Sequence, residues 1–148
     1  MEKELILCDT NIFISWFRGD IETVTRLERI GLEHILIPSV AVMELIQGTR
    51  NKTETIQLKK KLKAYHIIHF NETTSRLTIE LIEQFKLSHG LLIPDAIIAA
   101  TAITFNLKLF TYNLKDFKFI PGIKIRCIRN DGVPTNNGLL HSALLHYQ

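Results

Sequence analysis

Four acidic residues each stand at the end of an apolar run, and any fold for this chain must house all four charges. Asp9 follows Leu5-Ile6-Leu7-Cys8, and Glu44 follows Val40-Ala41-Val42-Met43. Asp95 follows Ile93-Pro94, and Asp116 ends the run from Thr111 through Leu114 and Lys115. A carboxylate beside buried strands or helices is costly unless its charge is compensated. Four that converge would also repel one another. A hard divalent cation held by oxygen ligands relieves both costs, and Mg²⁺ or Mn²⁺ suits an all-carboxylate donor set without Cys or His better than Zn²⁺ does. The pattern implies an acidic metal pocket on an α/β fold.

The runs between these acids alternate in type. Leu5–Cys8, Ile35–Ile37, Ile67–Phe70, Lys108–Thr111 and Lys124–Ile128 read as short strands. Between them lie helical patterns: Asn11–Arg18 closed by Gly19, a helix capped by Asp20 running to about Gly31, and one capped by Ser39 and ended by Gly48. Residues 50–64 place Ile56, Leu58 and Leu62 on one apolar face, and Thr74–Ser88 places Leu77, Leu81 and Phe85 on another. Pro94 suits a first helical turn, and Ala96–Phe105 is apolar nearly all round, hence central. Strands alternating with helices predict a three-layer α/β sandwich with a central, mainly parallel sheet of about five strands. Residues 1–129 are expected to form this domain, and 130–148 a C-terminal tail of unassigned role.

With 148 residues, 46% of them hydrophobic, the chain can bury one core. No apolar run approaches the ~20 residues of a membrane span. The opening Met1-Glu2-Lys3-Glu4 lacks the basic stretch of a signal peptide, so a cytoplasmic protein is expected. Cys8 and Cys127 sit in apolar runs and read as buried thiols rather than a disulfide. The net charge of +3, beside an acidic pocket, leaves basic residues elsewhere for a polyanion. Arg18, Arg50, Lys52 and the run Lys59-Lys60-Lys61 are the candidates, although a lysine run is more often a solvated helix face. The six histidines lack metal-ligand spacing and read as surface or packing residues, and Trp16 reads as core or interface.

Ligands of a parallel sheet bind beyond the carboxyl ends of its strands. Asp9 and Asp116 fall at that edge by position, while Glu44 and Asp95 must arrive from helices. Each acid has a plainer reading. Asp9 could cap the first helix, Asp95 could serve the helix dipole, Glu44 could be an ordinary helix-face carboxylate, and Asp116 a turn residue. It is their joint arrangement that carries the argument.

That arrangement resembles the PIN-domain nucleases. Cys8-Asp9-Thr10-Asn11-Ile12-Phe13-Ile14 is similar to their opening motif, and Ser39 to Gly48 with Glu44 to their second. Asp95-Ala96-Ile97-Ile98-Ala99-Ala100 is similar to the third, and Phe110 to Phe117, followed by Ile120-Pro121-Gly122, to the fourth. The size and this ending look most like the toxins of VapBC toxin–antitoxin pairs. The resemblance implies a Mg²⁺- or Mn²⁺-dependent ribonuclease with Asp9, Glu44, Asp95 and Asp116 as metal-site carboxylates. It also implies that Thr10, Asn11, Thr111 and Asn113 orient ligands or RNA substrate. A cognate antitoxin protein would be the partner, lying in a groove near the acids and presenting an Arg or Lys to them. The apolar surplus on Ile12-Phe13-Ile14-Ser15-Trp16-Phe17 further suggests a homodimer. Two other classes stay open: a metal-dependent phosphatase and a non-catalytic interaction module on the same fold. Asn11 stands where an aspartyl-phosphate enzyme often has its second acid. Loss of an acid would mark the module, and all four are present.

Overall fold

Alternation along the strands sorts the core into two layers. In β1 (Ile6–Cys8), Ile6 and Cys8 pack on one side of the sheet and Leu7 on the other. The same division separates Phe110 from Leu109 in β4 (Lys108–Phe110), as period-two geometry demands. The structure, a computed structural model, describes residues 4–126. With β2 (Ile35–Pro38), β3 (His66–Ile68) and β5 (Lys124–Ile125), the sheet has order β3-β2-β1-β4-β5. Every described pairing is parallel, with Ile6 opposite both Ile35 and Lys108.

Helices α1 (Thr10–Phe17), α2 (Ile21–Ile30) and α4 (Lys52–Leu62) bury Phe13, Leu27 and Leu62 on one side. On the other side, α5 (Glu72–His89) and α6 (Ile93–Thr104) bury Phe85 and Ile98. Helix α3 (Ser39–Gln47) sends Ala41 and Leu45 to the first side and Val40 to the second. The expected three-layer sandwich is therefore the observed one. Ala96, Ala99, Ala100 and Ala102 let α6 lie close over the sheet. Gly90, at φ 66°, ends α5 in the left-handed region open to glycine.

Several local expectations are corrected. Ser39 is the first residue of α3, not its cap; Pro38 holds the cap position with no side-chain bond to offer. Ile56 is 46% exposed, while Leu58 and Leu62 carry the buried face of α4. The first helix buries most, but not all, of its apolar face. Ile12, Phe13 and Ile14 are buried, and the Trp16 ring meets Tyr65 edge-on at 4.9 Å and Phe17 at 5.1 Å. Trp16 and Phe17 stay half-buried, so the apolar surface expected to support a homodimer is reduced to these two rings. Cys8 is buried among apolar neighbours, which pushes its thiol above the usual range, and Cys127 lies outside the described residues. So does the tail, 130–148. Among the described residues no helix is long and apolar enough to cross a membrane.

Candidate metal and phosphodiester site

From β1 the chain passes outward to β2 and β3, then returns to lay β4 on the other flank of β1. The carboxyl ends of β1 and β4 thus diverge at the topological switch point, where a crevice opens in parallel sheets. Asp9 stands on one side of it and Thr111 on the other. The ladder continues one step past β1, because Asp9 N–H donates to the Phe110 carbonyl at 2.9 Å.

Asp9 is 5% exposed, and both its oxygens are held. One accepts Thr10 N–H at 2.7 Å, so Asp9 does cap α1. The other accepts the Thr111 hydroxyl at 2.8 Å. Thr111 Oγ in turn accepts Asn113 N–H at 3.0 Å. Thr10 extends the network to the second acid, donating its hydroxyl to Glu44 Oε1 at 2.9 Å. The Asn11 side chain accepts Tyr112 N–H at 3.4 Å. Thr10, Asn11 and Thr111 therefore act through their side chains. Asn113 is exposed and enters this network through its backbone.

Asp95 lies in the first turn of α6, and Asp116 in a 3-10 turn, Leu114–Asp116, after β4. Burial, with Asp9, Asp116 and Glu44 as charged neighbours, pushes the Asp95 carboxyl up to about 7. Burial likewise raises Asp9 to about 6, against the bonds from Thr111 and Thr10 and with help from Glu44 and Asp116. Burial lifts Glu44 and Asp116 in the same direction. The four acids expected from the sequence thus lie within electrostatic reach of one another, and the strain falls on the two deepest. Like charges raise one another's proton affinity in this way when no cation offsets them. The donors are carboxylate oxygens alone, which fits a hard divalent cation. Among the described residues, no three Asp, Glu, His or Cys side chains stand in a closed ligating arrangement.

The basic candidates are dispersed. Arg50 pairs with Glu54 at 3.5 Å, and Lys61 lies 5.7 Å from the Phe17 ring centre, leaving Lys52, Lys59 and Lys60 exposed on α4. Among the histidines, His66 and His69 are exposed, and His89 stacks on Phe119 with ring centres 4.1 Å apart. His141 and His146 lie outside the described residues. Sequence reasoning missed Tyr112 and Thr23, whose hydroxyls meet at 2.6 Å although the residues are far apart in the chain.

The PIN-domain family model matches residues 6–121, a span that holds all four acids. The chain belongs to the PIN-domain family. Ribonuclease VapC1 of Methanocaldococcus jannaschii is 32% identical to this PIN domain over 128 residues, covering 84% of this chain and 88% of its own. A toxin–antitoxin complex from Klebsiella pneumoniae contains a chain of 32% identity that superposes with a TM-score of 0.67, over 80% of this chain and 94% of that one. VapBC2 from Rickettsia felis, solved bound to a DNA fragment from its promoter, gives a TM-score of 0.69 at 26% identity, over 82% and 97%.

Proposed function

We propose that this PIN domain is a metal-dependent endoribonuclease and the toxin of a toxin–antitoxin pair. The observation that supports the reading is that Thr10 ties Asp9 to Glu44 at the sheet's carboxyl edge, with Asp95 and Asp116 close enough to act on Asp9 and on each other electrostatically. The ribonuclease relative and the two toxin–antitoxin structures supply the substrate class and the partner class.

Asp9, Glu44, Asp95 and Asp116 would hold Mg²⁺ or Mn²⁺. When bound, such an ion supplies charge neutralisation at the phosphate and lowers the pKa of water. The chain's own contribution is orientation. Thr111 fixes one oxygen of Asp9 and Thr10 fixes one of Glu44, so two carboxylates keep their rotamers before substrate arrives. In the overall reaction water adds to phosphorus, the P–O3′ bond breaks, and O3′ leaves with a proton. The products are a 5′-phosphate and a 3′-hydroxyl. RNA preference then comes from shape and single-strand contacts, since the 2′-hydroxyl takes no chemical part.

One observation weighs against the phosphatase class. Asn11, two residues past Asp9, is buried and its oxygen is occupied by Tyr112 N–H. An acid acting on a phosphoryl-aspartate from that position has no counterpart here.

The test is cleavage of single-stranded RNA by purified protein. Activity should vanish in EDTA, return with Mn²⁺ or Mg²⁺, and leave 5′-phosphate ends. Full activity in EDTA, or 2′,3′-cyclic phosphate ends, would exclude this mechanism.

A further inference from the structure

We propose that Tyr112 is a positioning residue whose hydroxyl, through Thr23 and Asp20, latches the loop after β4 onto α2 and so sets the Thr111, Asn113 and Asp116 side of the site.

The protons fix the direction of the chain of bonds. Thr23 is fully buried, and its Oγ lies 2.6 Å from Asp20 Oδ2 and 2.6 Å from the Tyr112 hydroxyl. An Asp20 carboxylate can only accept, and it also takes Thr23 N–H at 3.0 Å as the cap of α2. The single Thr23 hydroxyl proton therefore goes to Asp20, and its free lone pair receives the Tyr112 proton. Burial keeps the Tyr112 hydroxyl above its usual pKa, so that proton stays in place. The acceptor at the end is charged, which strengthens both bonds in series.

Apolar contacts also hold the loop, since the Tyr112 ring packs against the core layer of α1 and α2 and Phe117 is fully buried in the other layer. Tyr112 N–H reaches Asn11 at 3.4 Å, the longest bond in the network. Its ring meets Phe110 edge-on at 5.5 Å. Thr111 and Asn113 flank it and make the bonds that steady Asp9. Asp116 follows on an exposed 3-10 turn. To these the Tyr112 hydroxyl adds a hydrogen-bonded tie from the loop to α2, a helix outside the acidic cluster.

The kinetic part of this inference rests on the nuclease reading; the structural part does not. The decisive variant is Tyr112→Phe, which deletes one oxygen and leaves the Thr23 proton still bonded to Asp20. Amide hydrogen exchange at Asn113–Asp116 should quicken about tenfold, while β1 and α6 keep wild-type protection. With Mn²⁺ and a single-stranded RNA oligonucleotide, kcat should fall about tenfold with KM changed less than about twofold. Thr23→Val should reproduce both effects and Thr23→Ser should restore both. The double variant Tyr112→Phe/Thr23→Val should be no slower than Thr23→Val alone. Wild-type exchange in the loop of Tyr112→Phe overturns the latch, as does loss of protection throughout the fold. A rise in KM with kcat unchanged overturns the positioning role. If the wild-type protein cuts no RNA, the nuclease reading fails, and the exchange measurement alone decides the latch.

Discussion

Asp9 caps α1 with one carboxylate oxygen and takes the Thr111 hydroxyl with the other, so its geometry and its charge can be separated by substitution. Asn keeps the shape and one acceptor oxygen for the Thr10 N–H, but gives up the charge and turns an NH₂ donor toward the Thr111 hydroxyl, which can accept it. Asp9→Asn and Asp95→Asn should therefore lower RNA cleavage by about a hundredfold or more while keeping the fold, since a charge in the cluster is lost rather than a packing contact. Asp116→Asn should be milder, because that residue is the most exposed of the four. Rates near wild type in Asp9→Asn would sink the assignment. The same charges set a pH dependence. Asp9 and Asp95 rise from an ordinary 3.8 to about 6 and about 7 on folding, so the native state binds their protons more tightly than the unfolded chain. That stabilisation is fully present below pH 3.8 and is lost as pH rises through 6 to 7. In EDTA the melting temperature should fall by roughly 5 °C more between pH 5 and pH 8 in wild type than in Asp9→Asn/Asp95→Asn. Equal slopes in the two proteins would show that the acids are not the source.

Helices α4 and α5 show how far a local pattern reaches. Their buried stripes, Leu58 with Leu62 and Leu81 with Phe85, follow helical spacing and were legible. Ile56 shares the composition of that stripe but not its angle, and it faces solvent. The starts of both helices were harder to read. Asn51 accepts Glu54 N–H at 2.9 Å, and Asn71 accepts Thr74 N–H at 2.9 Å and the Thr74 hydroxyl at 3.0 Å. In a polar stretch an asparagine cap looks like any loop residue until its donor is in place. The two kinds of residue should respond in opposite ways. Asn71→Ala should cost about 1 kcal/mol of unfolding free energy, whereas Ile56→Ser should stay within about 0.5 kcal/mol. Urea denaturation measures both, and a larger loss for Ile56→Ser would contradict the exposure assigned to it.

At the scale of the molecule, the sequence placed every strand to within two residues where the structure describes it, yet could not give their order. Pairing β1 with β4 depends on contacts such as Asp9 N–H to Phe110 carbonyl, between segments about a hundred residues apart, and no local rule foretells them. The resemblance to a family supplied what local physics could not, bringing Glu44 and Asp95 to the strand ends from helices. Local apolarity overstated the exposed face of α1, where Ile12, Phe13 and Ile14 are buried and Trp16 packs on Tyr65. Four of the exposed apolar residues stand beside the acids in the chain, although Leu87 and Ile21 are more exposed and lie elsewhere: Met43 precedes Glu44, Leu92 and Ile93 precede Asp95, and Leu114 precedes Asp116. An antitoxin that sheltered these side chains while offering an Arg or Lys to the carboxylates would satisfy both the apolar and the electrostatic demand, because a cation can replace the metal as counter-charge. The toxin reading therefore predicts that the chain arrests growth when expressed alone. Co-expression with the protein encoded by the adjoining gene should restore growth and copurify as a complex, and high salt should weaken that complex more than it weakens the fold. Asp95→Asn should be harmless alone and still copurify. A wild-type chain that leaves growth untouched and binds no such partner would end the toxin reading, whatever its activity on RNA in a purified assay.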